Sequence, residues 1–519
     1  MAASSKLTEE NWYPSNLLAY NALPAHQAFD SPISDAKSTA DTRTDFYDRS
    51  LTSRRYALIG VACSSIFGCL CITAGTVTLA NHGIAGVTPL NMMDWKGNTR
   101  NPWWLQLKIY PLILNLIVTL CTESIGFIHG ISLRSALASE SRLRFNTNLR
   151  LLTAARGWYN PNGVLLNGIS AVLLIISYSS ASFIIYLDDQ LTMPVSTGVA
   201  IAGFPLLILG VALLLQVMIA LSGMRAVKIM TWSSSPFDLT AALLHHTQLT
   251  PDPFRCMRRV SDLDTYGGPA KPQETQPSAW HAHPSIRKVV IFLWVIVVAC
   301  AVWAVLVMYF SDLYGLPLTL RTWSFFQNEQ SKLISYFSYY MTDVNLEAWA
   351  LFFVNIAVVQ GPLTLMLHCS ELTVNVIRDE RQWRCATGGK GLRVATNPLE
   401  PILTHPICLI LFFAKPFLHW MFALSFSVSF IAFDEIVSVF SVYMYTAQIW
   451  NLCIALVIFA CFFTFIALRR PYGPQPAAYG HVQTLANLVD EWSPVMWWGH
   501  KEDGIPYCHA GGAFVLYSR

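Results

Sequence analysis

Charge is what this chain has least of. Asp, Glu, Lys and Arg make up 13% of its 519 residues and apolar residues 54%, against roughly 25% charged in an ordinary soluble domain. With a mean hydropathy of +0.42, that shortage excludes a conventional soluble fold. A net charge of +3 gives no basic surface for nucleic acid. Residues 1–55 lack an apolar h-region, which argues against a cleaved signal peptide and for a disordered cytosolic tail. There is no Asn-x-Ser/Thr acceptor, so external glycosylation is not expected. The chain has no Walker loop, no His-Glu-x-x-His, no Gly-x-Ser-x-Gly and no dinucleotide fingerprint. No cofactor is therefore expected, and enzyme activity is not indicated.

Long apolar runs take the place of charge. Eight are long enough to cross a hydrocarbon core about 30 Å thick: 56–80, 109–133, 164–187, 197–221, 289–310, 348–372, 406–433 and 449–468. Pro416 interrupts the seventh and should kink or break it. Gly60, Ser64 and Gly68 form a small-residue face on the first, suited to close helix approach. With the N-terminus inside, the segments placed in the cytosol hold 28 Lys and Arg and the opposite loops five. Both termini are thus expected to be cytosolic. Nine of twelve cysteines fall in spans and none in an external loop, so no disulfide framework is implied. The polar connection 222–288 reads as flexible, and 469–519 as a cytosolic tail carrying a short amphipathic helix at 482–492. That tail offers a docking element for a cytosolic protein partner; the other partner is the lipid bilayer.

One order of features occurs twice. Cys121-Thr-Glu123-Ser late in one apolar run matches Cys369-Ser-Glu371-Leu late in another, 248 positions on. Leu143-Arg144-Phe-Asn-Thr147-Asn148 matches Leu392-Arg393-Val-Ala-Thr396-Asn397 at 249, and Ser177-Tyr-Ser179 matches Ser425-Phe-Ser427 at 248. The pattern predicts an all-α integral membrane protein built from two parallel four-helix repeats related by an axis along the membrane normal. The same offset pairs Lys415 with Asn167.

Polar residues inside the spans carry the chemical signal, because an ionisable group there costs a few kcal/mol or more, by rough estimate. Asn115, Thr119 and Glu123 share one face of the second span, continued by Gly126 and Gly130. Gln360, Thr364, His368 and Glu371 form a similar stripe on the sixth, and the seventh supplies Lys415 and His419. Lys415 needs a counter-charge, and Glu123 or Glu371 is the expected one. One reading makes these residues the polar pathway of a channel or transporter for a cation or proton, at the repeat interface; the alternative function is a non-conducting membrane scaffold or receptor recruiting partners through its cytosolic loops and C-terminal helix. Another makes them a paired network that fixes helix register, and intramembrane catalysis by Glu and His is a third. In the loops, Arg144, Asn148, Arg393 and Asn397 are candidates for anionic headgroups or a partner; the plainer reading is turn, cap and orientation signals. His481, His500, Cys508 and His509 match no usual zinc spacing, so no metal site is expected.

Glu123-Ser-Ile-Gly-Phe-Ile-His129, Leu143-Arg-Phe-Asn-Thr-Asn-Leu-Arg150, Leu365-Met-Leu-His368-Cys-Ser-Glu371-Leu, Lys415-Pro-Phe-Leu-His419-Trp420 and Gly473-Pro-Gln-Pro-Ala-Ala-Tyr-Gly-His481-Val-Gln-Thr-Leu together resemble a group of multi-span fungal membrane proteins without an assigned activity. The resemblance covers most of the chain beyond the N-terminal tail. It implies a fungal source and an integral membrane location, and brings no catalytic or ligand residues with it.

Overall fold

The computed structural model describes residues 47–83, 87–91, 103–190, 196–252, 255, 257–262, 272–313, 318–319, 321–326, 334–341, 346–388, 390–393, 405–432, 438–490, 492–500 and 508–511. The chain divides after Tyr47, and the helices and sheets among the described residues belong to the unit Asp48–Arg519. The long helices are α1 (Leu51–His82), α2 (Trp103–Ser139), α3 (Val164–Phe183), α4 (Gly203–Arg225), then α6 (Pro284–Leu313), α7 (Leu346–Arg384), α8 (Pro406–Ser425) and α9 (Thr446–Leu468). Shorter helices in the connections include α5 (Pro236–His245) and α10 (Val482–Leu488). Eight helices among the described residues are long and apolar enough to cross a membrane, one for each expected span. The chain is a mostly helical, multi-pass integral membrane protein.

The helices form two groups with the same neighbours. In the first, α1 packs on α4, α4 on α3 and α2 on both; in the second, α6, α9, α8 and α7 repeat that arrangement. The groups meet where α2 packs on α8 and α3 on α7. The α1–α4 contact is backbone to backbone. A Cβ on Gly75 would lie 2.7 Å from Leu207 N, and one on Gly210 would lie 2.5 Å from Gly68 O. Without solvent to drive helices together in lipid, such close packing is the main attraction available. Gly68 of the expected small-residue face serves this contact, while Gly60 lies against Ser124 of α2.

Strands shift three of the expected span limits. Beside the helices of the expected all-α bundle, β1 (Val87–Asn91), β3 (Ser196–Ile201) and β2 (Ile185–Gln190) form one antiparallel sheet, and β4 (Ile334–Met341), β7 (Ser438–Met444) and β6 (Phe426–Ala432) another in the same order. The third and seventh spans therefore end at Phe183 and Ser425, short of 187 and 433, and the fourth starts at Gly203 instead of 197. The apolar run does continue past Ser425, but as Phe-Ser-Val-Ser-Phe it alternates with the period of a strand. Pro416 breaks nothing, since α8 runs through it, as α2 and α7 run through Pro111 and Pro362.

At the other end of the bundle the connections interlock. The 222–288 segment, expected to be flexible, contains α5, whose Pro236–Leu243 stretch is buried and packs on α10. Ser235 caps α5, accepting from Phe237 N at 3.3 Å. The expected helix at 482–492 ends at Leu488 and is buried on nearly all sides, with only Gln483 half exposed. It leaves no free apolar face for a partner. A third sheet, β5 (Leu392–Arg393), β8 (Val495–His500) and β9 (Cys508–Gly511), follows it. The first helix starts at Leu51, inside the stretch expected to be tail; residues 1–46 lie outside the described residues.

Candidate functional site

Each group of helices buries its own apolar core, α1–α4 around Ile125, Leu174 and Leu213, and α6–α9 around Leu293, Met366 and Phe463. Polar side chains fill the seam between them. Lys415, midway along α8 and 2% exposed, bonds the carboxylates of both Glu123 on α2 and Glu371 on α7, whose side chains are 34% and 24% exposed. Glu371 Oε1 also lies 2.9 Å from His368 Nδ1, one turn away on the same helix. The counter-charge demanded by Lys415 is thus divided between the two groups of helices.

Around this centre the polar groups link up. Tyr178 of α3, fully buried, donates to Thr119 Oγ1 at 3.1 Å and lies 3.2 Å from Thr122 Oγ1. Its ring stacks on His419, centroids 3.9 Å apart and 13° from parallel, and touches His368 at 5.7 Å. Gln360 Nε2 lies 3.0 Å from His419 Nδ1 and 3.3 Å from Ser182 Oγ. Arg150 reaches in from the α2–α3 connection, donates to Ser170 Oγ at 2.8 Å, and interacts electrostatically with Glu371 and Glu123. A Cβ at Gly126 or Gly130, on the Glu123 face of α2, would meet nothing within 4 Å.

Most of the residues singled out from sequence therefore come together: Thr119, Glu123, Gln360, His368, Glu371, Lys415 and His419. Two satisfy only their own helices, Asn115 donating to Pro111 O at 2.8 Å and Thr364 to Gln360 O at 3.1 Å. Asn167 is no counterpart of Lys415. It is the fourth residue of α3, bonded to His129 Nε2 at 2.8 Å, whereas Lys415 is the tenth of α8. The second, third and fourth helices of each group start at 103 and 346, 164 and 406, 203 and 446. Those spacings of 242 to 243 also take Ser177 out of register with Ser425. Sequence reasoning missed Tyr178, Thr122 and Arg150. An aromatic in an apolar run and an arginine in a basic loop are both ordinary there, so neither carried a signal.

The loop candidates divide differently. Asn148 Nδ2 donates to Phe145 O at 2.7 Å, a local turn contact. Arg144 and Arg393 have exposed side chains, and Asn397 lies outside the described residues. The residue that matters between them is Asn146. Its Oδ1 accepts from buried Arg134 at 2.8 Å and its Nδ2 donates to Asp379 Oδ2 at 2.9 Å.

Chemically the centre is a cation site whose resident cation is a lysine ammonium. Glu123, His368 and Glu371 each present one polar atom, all within 4.8 Å of one another. Because Lys415 bonds both carboxylates, a metal ion would have to displace it. No family model matches this chain, and neither curated proteins nor solved structures provide a match.

Proposed function

We propose that this membrane protein is a carrier or channel in which a cation or proton competes with Lys415 for Glu123 and Glu371. The observation that carries the reading is one buried ammonium bonded to carboxylates from both groups of helices. A charge pair held inside a bilayer is costly. A purely structural pair has no need to span two packing units or to leave its carboxylates a quarter to a third exposed. Here protonation or cation binding at either carboxylate releases one arm of Lys415, and with it one contact between the groups. In this reading the groups are parallel duplicates rocking about the seam, with the termini in the cytosol. Matching sheet orders, matching helix neighbours and the placement of 28 basic residues against five support it.

The test is water access and flux. Single cysteines at 123, 371, 415 and 419, in a background without reactive thiols, should be labelled by an impermeant reagent, and Lys415→Gln, compared at equal amounts of folded protein, should abolish flux. Protection at all four positions in a folded protein would mark the seam as a dry structural network and sink the reading.

A further inference from the structure

Two histidines at the seam each have one ring nitrogen committed and one free. His368 Nδ1 faces Glu371 Oε1 at 2.9 Å. An ionised carboxylate only accepts, so the proton sits on Nδ1 and Nε2 is a bare lone pair. His419 Nδ1 faces the amide nitrogen of Gln360 at 3.0 Å. An amide nitrogen only donates, so this Nδ1 is bare and Nε2 carries the proton. Neither Nε2 has a hydrogen-bond partner among the described residues, and the two residues are 7% and 0% exposed. Both rings lie against Tyr178. An acceptor and a donor are thus left over, both buried, around one phenol ring. Unpaired buried polar atoms are expensive, and a water molecule bridging these two would satisfy both. The charged groups facing His368 are Lys415 of α8, Glu123 of α2 and Arg150 of the α2–α3 connection, with Glu371 on its own helix.

Resting on the transport reading above, we infer that the ion moved is the proton, and that it reaches Glu371 through His368 from a water positioned by His419. The step balances. His368 Nε2 takes a proton from the protonated water while Nδ1 gives its own to Glu371. The imidazole ends neutral in the other tautomer, the water ends neutral, and Glu371 becomes a carboxylic acid. Lys415 then keeps a charged partner only in Glu123. His368 is the shuttle; His419 acts through the water and is a positioning residue.

The full chain in liposomes with a trapped pH indicator, under an imposed pH gradient, tests this. His368→Phe and His419→Phe should each slow proton flux by about tenfold or more. His419→Gln, which keeps an N–H donor, should stay within about threefold of the parent. Nitrogen-15 spectra of histidine-labelled parent protein, which need no variant to fold, should show opposite tautomers at His368 and His419. Parent-level flux in either Phe variant overturns the inference, as do equal tautomers. Absence of proton flux in the parent overturns it too. If cysteines at 123 and 371 are then labelled from both sides, the transport reading stands with another ion; if both are protected, it falls as well.

Discussion

The seam and the interlocked end of the bundle both bury charge, but they hold it in different ways. At the end, Glu380 of α7, 4% exposed, accepts from two backbone amides, Ala478 N at 2.9 Å and Tyr479 N at 2.8 Å, and from Arg384 Nε at 2.9 Å. Arg134 donates to the carbonyls of Thr231 and Ser233 at 3.2 and 2.9 Å. Gly480 O accepts from Asn146 N at 2.8 Å, and Trp383 Nε1 donates to Pro476 O at 2.7 Å. Backbone partners cannot leave without unfolding their segment, so Glu380 clamps the 473–481 strap against α7 and Arg134 holds residues 231–233 against α2. At the seam, Lys415, Glu123, Glu371 and His368 hold each other by side chains alone, from three helices. Rotamers can change while the helices stay intact. The same chemistry builds a clamp where the partner is backbone and an exchangeable site where it is side chain.

The largest effect should come from breaking the exchangeable site outright. Lys415→Met leaves two carboxylates facing each other, and removing one partner of a buried pair costs about 3–5 kcal/mol. The variant should lose most of its thermal stability in lipid nanodiscs. Adding Glu123→Gln and Glu371→Gln should restore the melting temperature but not the flux. A triple variant as unstable as Lys415→Met would show that the seam is held by shape and not by charge balance.

The clamp should break at a residue with no side chain. Gly480 has φ +72, and a Cβ there would lie 2.6 Å from Asp379 Oδ2. Alanine would combine a left-handed backbone, about 1–3 kcal/mol by itself, with a collision against a buried carboxylate. Gly480→Ala should lower the melting temperature clearly and expose the strap to limited proteolysis between 473 and 481, with the seam cysteines labelled as before. Changed labelling at 123 and 371 would mean that the two regions are coupled.

The two regions differed as much in legibility. Glu123, Glu371 and Lys415 stand out because a charge in an apolar run has no ordinary explanation, and one ammonium needs a carboxylate. The span count was readable for the same reason, from run length and from where the arginines fall. Little in the clamp could be read that way. Asp379 and Glu380 follow the sixth apolar run and Arg134 the second, where charge is ordinary. The 473–481 strap was visible only as a resemblance, because it is held through its own backbone atoms, 93 to 99 positions from the α7 side chains they meet. The strands at 426–432 and 438–444 continue apolar runs, so period two was hidden behind hydropathy.

Acid should separate the regions more gently. Burial pushes His481 down to about 4, and its Nδ1 caps α10, accepting from Thr484 N at 3.2 Å. A base whose pKa is lowered on folding is fully stabilising above its unfolded value and loses that contribution as pH falls, here from about 6.5 to 4. The loss amounts to at most about 3 kcal/mol. Melting temperature should therefore fall over that window, and His481→Asn, which keeps a good capping oxygen, should flatten part of the slope. An unchanged slope would assign the acid sensitivity elsewhere, His283 being the next candidate since burial also pushes it down to about 4.

The smallest expected effect has the opposite sign and comes from the same end of the bundle. Burial raises Asp238 on α5 to about 6, against bonds from Ser233 and the Asp48 amide that favour the charged form. Its Oδ2 is buried without a partner. An acid whose pKa is raised on folding binds its proton more tightly in the native state, so this group favours folding at low pH. That contribution fades as pH rises from about 4 to 6 and leaves a charged, half-paired carboxylate near neutrality. Asp238→Asn should then raise the melting temperature by a few degrees near pH 7 and leave it unchanged near pH 4. A gain at both pH values would mean that the amide improves packing or bonding by itself. A loss near pH 7 would show that Arg134, which also lowers the Asp238 pKa, needs the negative charge there, making Asp238 a working member of the clamp.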